Sequence, residues 1–135
     1  MASIRKETPM NARAEVVWDT IRDVGAIHTR LAPGFVTDTR LEEGGSARMV
    51  TFANGLVARE LIVDVDDRDR RLAWSVVGGR PTHHNGSLQV FAEGEARCRV
   101  VWIADLLPHD LAGPISGMME QGLQAMKRTL EQGAA

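Results

Sequence analysis

Arg48 and Glu60 stand at the two ends of the stretch RMVTFANGLVARE, which is otherwise mostly apolar around a turn signal, Asn54-Gly55. A guanidinium and a carboxylate placed in apolar strands can pair with each other or hold the polar end of a ligand. A desolvated carboxylate can also move a proton, because burial raises its pKa. Which of these applies depends on register. If Asn54-Gly55 is a two-residue type I′ turn, Arg48 lies opposite Leu61 and Glu60 opposite Met49. If the loop is Ala53-Asn54-Gly55 with Gly55 left-handed, Phe52 pairs with Leu56 and Arg48 faces Glu60. The second register is the expectation. It puts Arg48, Val50, Phe52, Leu56, Ala58, Glu60 and Ile62 on one face and leaves Arg59 to the other.

Other residues with chemical potential say less. His83 and His84 look like a metal pair, but neighbours on a strand point to opposite faces and cannot share one ion without a bulge. Gly86, Leu88 and Val90 continue the apolar parity, so His84 should point inwards and His83 out. An inward His84 either polarises a ligand carbonyl, shuttles a proton, or is a hydrogen-bonded core histidine. The acidic run from Asp64 to Asp69 imitates a calcium loop but lacks Gly at the sixth place and Glu at the twelfth; a solvated turn is expected. Cys98 lies between Arg97 and Arg99, a setting that can lower a thiol pKa. Nucleophile-elbow, Walker, dinucleotide-binding and HExxH patterns are all missing, so no cofactor and no metal are expected.

The elements that must position these residues follow from periodicity. Ala2 to Pro9 suits a first strand, and Asn11 sits where a helix N-cap belongs. Ala14, Val17, Trp18 and Ile21 then share one helical face, with Trp18 in the core. A second short helical piece spans 25–31 and stops at Pro33-Gly34. From Phe35 to Trp102 the period is two. Strands are expected at 35–42, 46–53, 56–65, 71–78, 83–92 and 97–107, paired as an antiparallel meander. After Pro108, Leu111, Ile115, Met118, Met119, Gly122, Met126 and Leu130 form a helical stripe over about 109–131. Trp74 and Trp102 should face the same concave side, as core or as cavity lining. The methionines and Gly122 carry the same two readings, since methionine fills cores and also lines permissive binding surfaces. The result is an α+β domain spanning 1–135, with a curved antiparallel sheet covered by its last helix.

The totals agree with such a domain. The 135 residues carry 16 basic and 18 acidic side chains, and 44% are apolar. Basic residues form no concentrated patch, so nucleic acid is not an expected partner. No apolar run suits a membrane span, and MASIRKETPM has no signal-peptide core. A single cysteine excludes an intramolecular disulfide, and a reduced, cytoplasmic protein is expected.

This order of elements, with the residues filling it, resembles the helix-grip superfamily, also called START-like or SRPBCC. That group includes birch-pollen-type allergens, plant abscisic-acid receptors and polyketide cyclases/dehydrases. The resemblance covers nearly the whole chain and is densest in NARAEVVWDTIRD, in the run from Gly45 to Val77, in Val100 to Trp102, and in GLQAMKRTLE. In bacterial members an Arg, a Gly turn, a Glu, an Asp turn and an aromatic recur in this order, and Arg48, Gly55, Glu60, Asp66-Asp67 and Trp74 occupy those places. Two departures stand out. The chain has no tyrosine, and only Glu43-Gly44-Gly45 stands where plant relatives carry a glycine-rich anion loop.

The resemblance implies a sheet of about seven strands wrapped around the C-terminal helix, with two short helices after the first strand. It also implies a small hydrophobic or amphipathic ligand between sheet and helix. The lining would comprise Arg48, Val50, Phe52, Ala58, Glu60, Trp74, His84, Trp102, Met118, Met119 and Gly122, with His28 and Arg30 as a gate. Relatives also include enzymes, so a cyclase or dehydratase using Glu60 or His84 for proton transfer stands beside simple binding. A protein-binding adaptor with its cavity filled by side chains is the third reading. A monomer or homodimer is expected.

Overall fold

A computed structural model describes residues 2–133. The period-two region folds into β2 (Val36–Leu41), β3 (Ala47–Phe52), β4 (Val57–Asp66), β5 (Arg71–Val77), β6 (His83–Ala92) and β7 (Cys98–Leu107). The N-terminal β1 (Ser3–Met10) pairs antiparallel with β7, giving one seven-stranded sheet in the order β1-β7-β6-β5-β4-β3-β2. Every pairing is antiparallel, as the short connections require. Between β1 and β2 lie α1 (Ala14–Arg22) and a π-type turn, Ile27–Leu31. The chain ends in α2 (Ala112–Gly133), entered through a 3₁₀ turn at His109–Leu111 and continuous through Gly122.

Curvature comes from two bulges. The β2–β3 register shifts between Val36 and Asp38, and the β4–β5 register between Ile62 and Asp64. An extra residue bends and twists its strand. The second bulge also resets side-chain parity: Val63 points to solvent, while Val65 packs against the core on the side that Ile62 faces. The concave face carries Val50, Leu72, Trp74, Leu88, Val90 and Val100, all buried against α1 and α2. The inner stripe of α2 buries Met119, Gly122, Leu123, Ala125, Met126 and Leu130. Among the described residues no helix is long and apolar enough to cross a membrane.

One local expectation is corrected and a second is extended. The cap position of α1 is Arg13, without a side-chain cap hydrogen bond. Asn11 instead donates its backbone N–H to Glu131 Oε2 at 2.8 Å, tying the start of α1 to the end of α2. The acidic turn after β4 is more than solvated. Asp67 Oδ1 accepts from Trp18 Nε1 at 2.9 Å and from Arg22 Nε at 2.8 Å, and these bonds hold its carboxyl below the usual range. The turn therefore clamps α1 onto the sheet. No metal-ligating cluster exists among the described residues.

Candidate functional site

The hairpin adopts the three-residue loop. Phe52 N–H donates to Leu56 O at 2.8 Å, Gly55 takes φ +90°, and Arg48 lies directly opposite Glu60. Arg48 Nε donates to Glu60 Oε1 at 2.9 Å. The two side chains are only 4% and 8% exposed. Arg48 Nη1 also donates to Val24 O at 3.1 Å, and the guanidinium lies 5.5 Å from the centre of the Trp74 ring. The cation is thus held by a carboxylate, a carbonyl and an aromatic face. Arg59, on the opposite face, makes a two-bond pair with Glu42 at 2.7 and 2.8 Å.

Burial pushes the Glu60 carboxyl above the ordinary range, while the charge and hydrogen bond of Arg48 pull it back. The native carboxyl then keeps its proton to a higher pH than the unfolded one. Between those two values the folded state binds more protons, so stability falls as pH rises through that window. The unfolding free energy of wild type minus that of Glu60→Gln should therefore shrink as pH rises from about 4.3, the unfolded glutamate value. It should level off above the native pKa. Urea melts of both proteins across that range read the difference, and a gap that widens with pH would contradict it.

Two spaces meet at this pair. An inner void of about 50 Å³ is lined by Arg48, Val50, Trp74, Trp102 and Met126, with Ile27 and Leu31 of the π-type turn closing one side. An outer apolar groove of about 210 Å³ runs between the sheet and the start of α2, lined by Ala58, Val76, His84, Ile115 and Met118 among others. Phe52 and Glu60 border both spaces. His84 is half-buried and His83 exposed, as parity requires. Desolvation, with the charge of His83 second, pushes the His84 pKa down.

The expected site residues thus divide. Arg48, Val50, Phe52, Glu60, Trp74 and Trp102 gather at the void, and Phe52, Ala58, Glu60, His84 and Met118 at the groove. Met119 lies elsewhere, packed with Ala104, Leu106 and Leu111. Gly122 borders neither space but supports one: a Cβ there would come within 2.8 Å of Trp102 Cζ3 and 3.0 Å of Phe35. His28 and Arg30 also border neither. Arg30 is bound to Asp19 and Asp23 at 3.0 and 2.8 Å, beside a separate polar cleft on the surface. Cys98 is fully buried, and burial, helped by the charge of Glu93, pushes its thiol up to about 11 against the opposing charge of Arg70.

Sequence reading missed Met126, Phe35, Ile27 and Leu31 as lining. Met126 lies in the same helical stripe as Met119 but about 10 Å further along α2, over a different part of the sheet. It also missed the seat of Trp74. Gly86 pairs directly with Trp74, and a Cβ there would lie 2.5 Å from the indole. The ring therefore lies flat over a bare backbone. Gly86→Ala should displace it and destabilise the protein by about 1–3 kcal/mol, the usual cost of overpacking. Thermal melts with near-ultraviolet circular dichroism would read both effects, and an unchanged melt and aromatic spectrum would refute the seat.

A family model described as polyketide cyclase/dehydrase and lipid transport matches residues 1–131. The chain belongs to this family. Among solved structures, an uncharacterized protein from Bacillus thuringiensis superposes with a TM-score of 0.86 at 20% identity, covering 96% of this chain and 98% of the other. The di-domain ARO/CYC protein BexL of the BE-7585A biosynthetic pathway gives 0.84 at 14% identity, over 97% of this chain and 47% of BexL. A norcoclaurine synthase point mutant from Thalictrum flavum, in complex with a transition-state analogue, gives 0.73 at 19% identity, over 98% and 96%. At these identities the likeness establishes a shared helix-grip fold. No protein of curated function matches the sequence.

Proposed function

We propose that this family member binds a small, largely apolar molecule between the sheet and α2, with the Arg48–Glu60 pair as its polar contact. One observation carries the reading: Glu60, a deeply buried carboxylate, borders both an apolar groove and the inner void. A residue that only fixed register would not need to face open space on two sides. The fold and the family, whose description includes lipid transport, support it further. Native mass spectrometry of the purified protein tests it. The expected result is a non-covalent adduct of a small apolar molecule that dissociates on denaturation. A protein that carries none, and takes none up from a panel of planar apolar compounds, would count against the reading.

A second reading, proton transfer of the cyclase or dehydratase type, is favoured by the raised pKa of Glu60 in its apolar surroundings. Two structural neighbours carry names that fit it, BexL and norcoclaurine synthase. The discriminating step is to return the released molecule to fresh wild-type protein and to Glu60→Gln. Chemical change with the first and not with the second makes the protein an enzyme; return of the intact molecule makes it a binder. The adaptor reading fits the small void alone, and the apolar groove beside it argues for a ligand.

A further inference from the structure

Charge avoids one end of this protein. A quarter of the chain's residues, 25%, are charged. Residues 53–57, 78–83 and 107–118 meet around the mouth of the apolar groove. Histidines aside, they carry only two charged side chains, Arg80 and Asp110. Apart from Leu111, every residue in these stretches is exposed or half-buried. Leu56 and Val57, where the β3–β4 loop joins β4, are 56% and 58% exposed. Pro81, Pro114, Ile115 and Met118 continue the apolar surface around the groove. An entrance need only be as wide as the molecule that passes it. This rim instead supplies the roughly 20–30 residues a side of a standard protein interface. Scarce charge beside methionine and other apolar side chains is also the composition of an interface core.

The two charges indicate what covers the rim. Neither Arg80 nor Asp110 forms an ion pair among the described residues. They are opposite in sign and stand on different connections, Arg80 between β5 and β6 and Asp110 in the turn that leads into α2. In a two-fold contact the same patch serves both copies, so every pairing of unlike residues occurs twice. Two copies placed mouth to mouth set Arg80 against Asp110 of the other copy, and Asp110 against its Arg80. A lipid surface fits less well, because Asp110 balances Arg80 and leaves no net positive charge for anionic headgroups. The groove is also incomplete at this end. At about 210 Å³ it falls short of the roughly 300–1,000 Å³ usual for ligand sites. Two grooves facing each other make one chamber inside that range, roofed by Leu56 and Val57 of the other copy.

We propose that this end is a self-association surface, and that the protein forms a two-fold dimer closed by reciprocal Arg80–Asp110 pairs around joined groove mouths. The dimer rests on the rim and its charges, not on an occupied groove, so its failure and that of the ligand reading are separate results.

Sedimentation velocity of the full chain tests it. At about 100 µM, well above the micromolar upper end for an interface of this size, the wild type should sediment with twice the 14.8 kDa mass of one chain. Leu56→Glu should weaken the dimer at least about tenfold, because it puts an unpaired charge into the contact. Arg80→Asp and Asp110→Arg should each do the same, since each sets like charges together twice. All three side chains are exposed, and circular dichroism should show the wild-type fold in every variant. Mixed in equal amounts, the two charge variants should pair about as tightly as the wild type does, because each reversed charge then meets its opposite. A wild type that is monomeric at that concentration would overturn the proposal. So would charge variants that dimerise as the wild type does, or a mixture that associates no better than its components. A monomer that floats with phosphatidylcholine vesicles would overturn it too and assign the rim to a lipid surface.

Discussion

Glu60→Leu should lower the stability of this protein by about 3 kcal/mol, the low end of what breaking a buried ion pair costs. The substitution keeps the side chain's approximate size and removes the oxygen that accepts from Arg48 Nε. Arg48 is then left buried without its counter-ion, which is the main source of the penalty. Two contacts keep the loss from being larger. Arg48 Nη1 still donates to Val24 O, and the guanidinium still lies by the Trp74 face. Urea denaturation at neutral pH reads the effect as a lower midpoint with an unchanged slope. Arg48→Met alone should lose a similar amount, since it leaves a buried carboxylate whose pKa is already pushed up by desolvation. Single variants within a few tenths of a kcal/mol of wild type would show that water reaches the pair freely.

The double variant Arg48→Met with Glu60→Leu should behave in the opposite sense. Replacing a buried pair by apolar residues of similar size is often neutral, or stabilising by about 1–4 kcal/mol. Both residues face a concave surface made of Val50, Leu72, Trp74 and Leu88, which would accept the new methyl groups. The double variant is therefore expected to be at least as stable as wild type and well above either single variant. That strong non-additivity is the signature of two charges that matter chiefly to each other. Additive losses would mean that each charge is held by other partners.

The hairpin shows how far sequence alone reached. A single glycine able to take positive φ, together with two charges that need each other, selected the register correctly. Alternation likewise placed Trp74, Trp102 and His84 on the concave side, because strand parity is a local property. What local pattern does not contain is where one element crosses another. Met118, Met119 and Met126 share one helical stripe, yet one reaches the groove, one the β7 core and one the void. Their angular and axial spacing along α2, set against a sheet bent by two bulges, decides that. The His28 and Arg30 gate failed to gather at the cavity for a similar reason. Arg30 finds Asp19 on α1 and Asp23 just past its end, an ion-pair arrangement that depends on how the π-type turn folds back against that helix. Gly86 reads as a weak point in a strand, and only the cross-strand pairing with Trp74 reveals it as a seat.

The most direct test of the central claim, that the Arg48–Glu60 pair serves a ligand, is binding by a protein that lacks the pair but remains folded. Isothermal titration of whatever molecule accompanies the wild type through purification, into wild type and the Arg48→Met, Glu60→Leu double variant, provides it. The account predicts binding by wild type and an affinity at least about tenfold weaker in the double variant, a difference of about 1.4 kcal/mol. Undiminished binding by the folded double variant would contradict it and leave Arg48 and Glu60 as keepers of strand register.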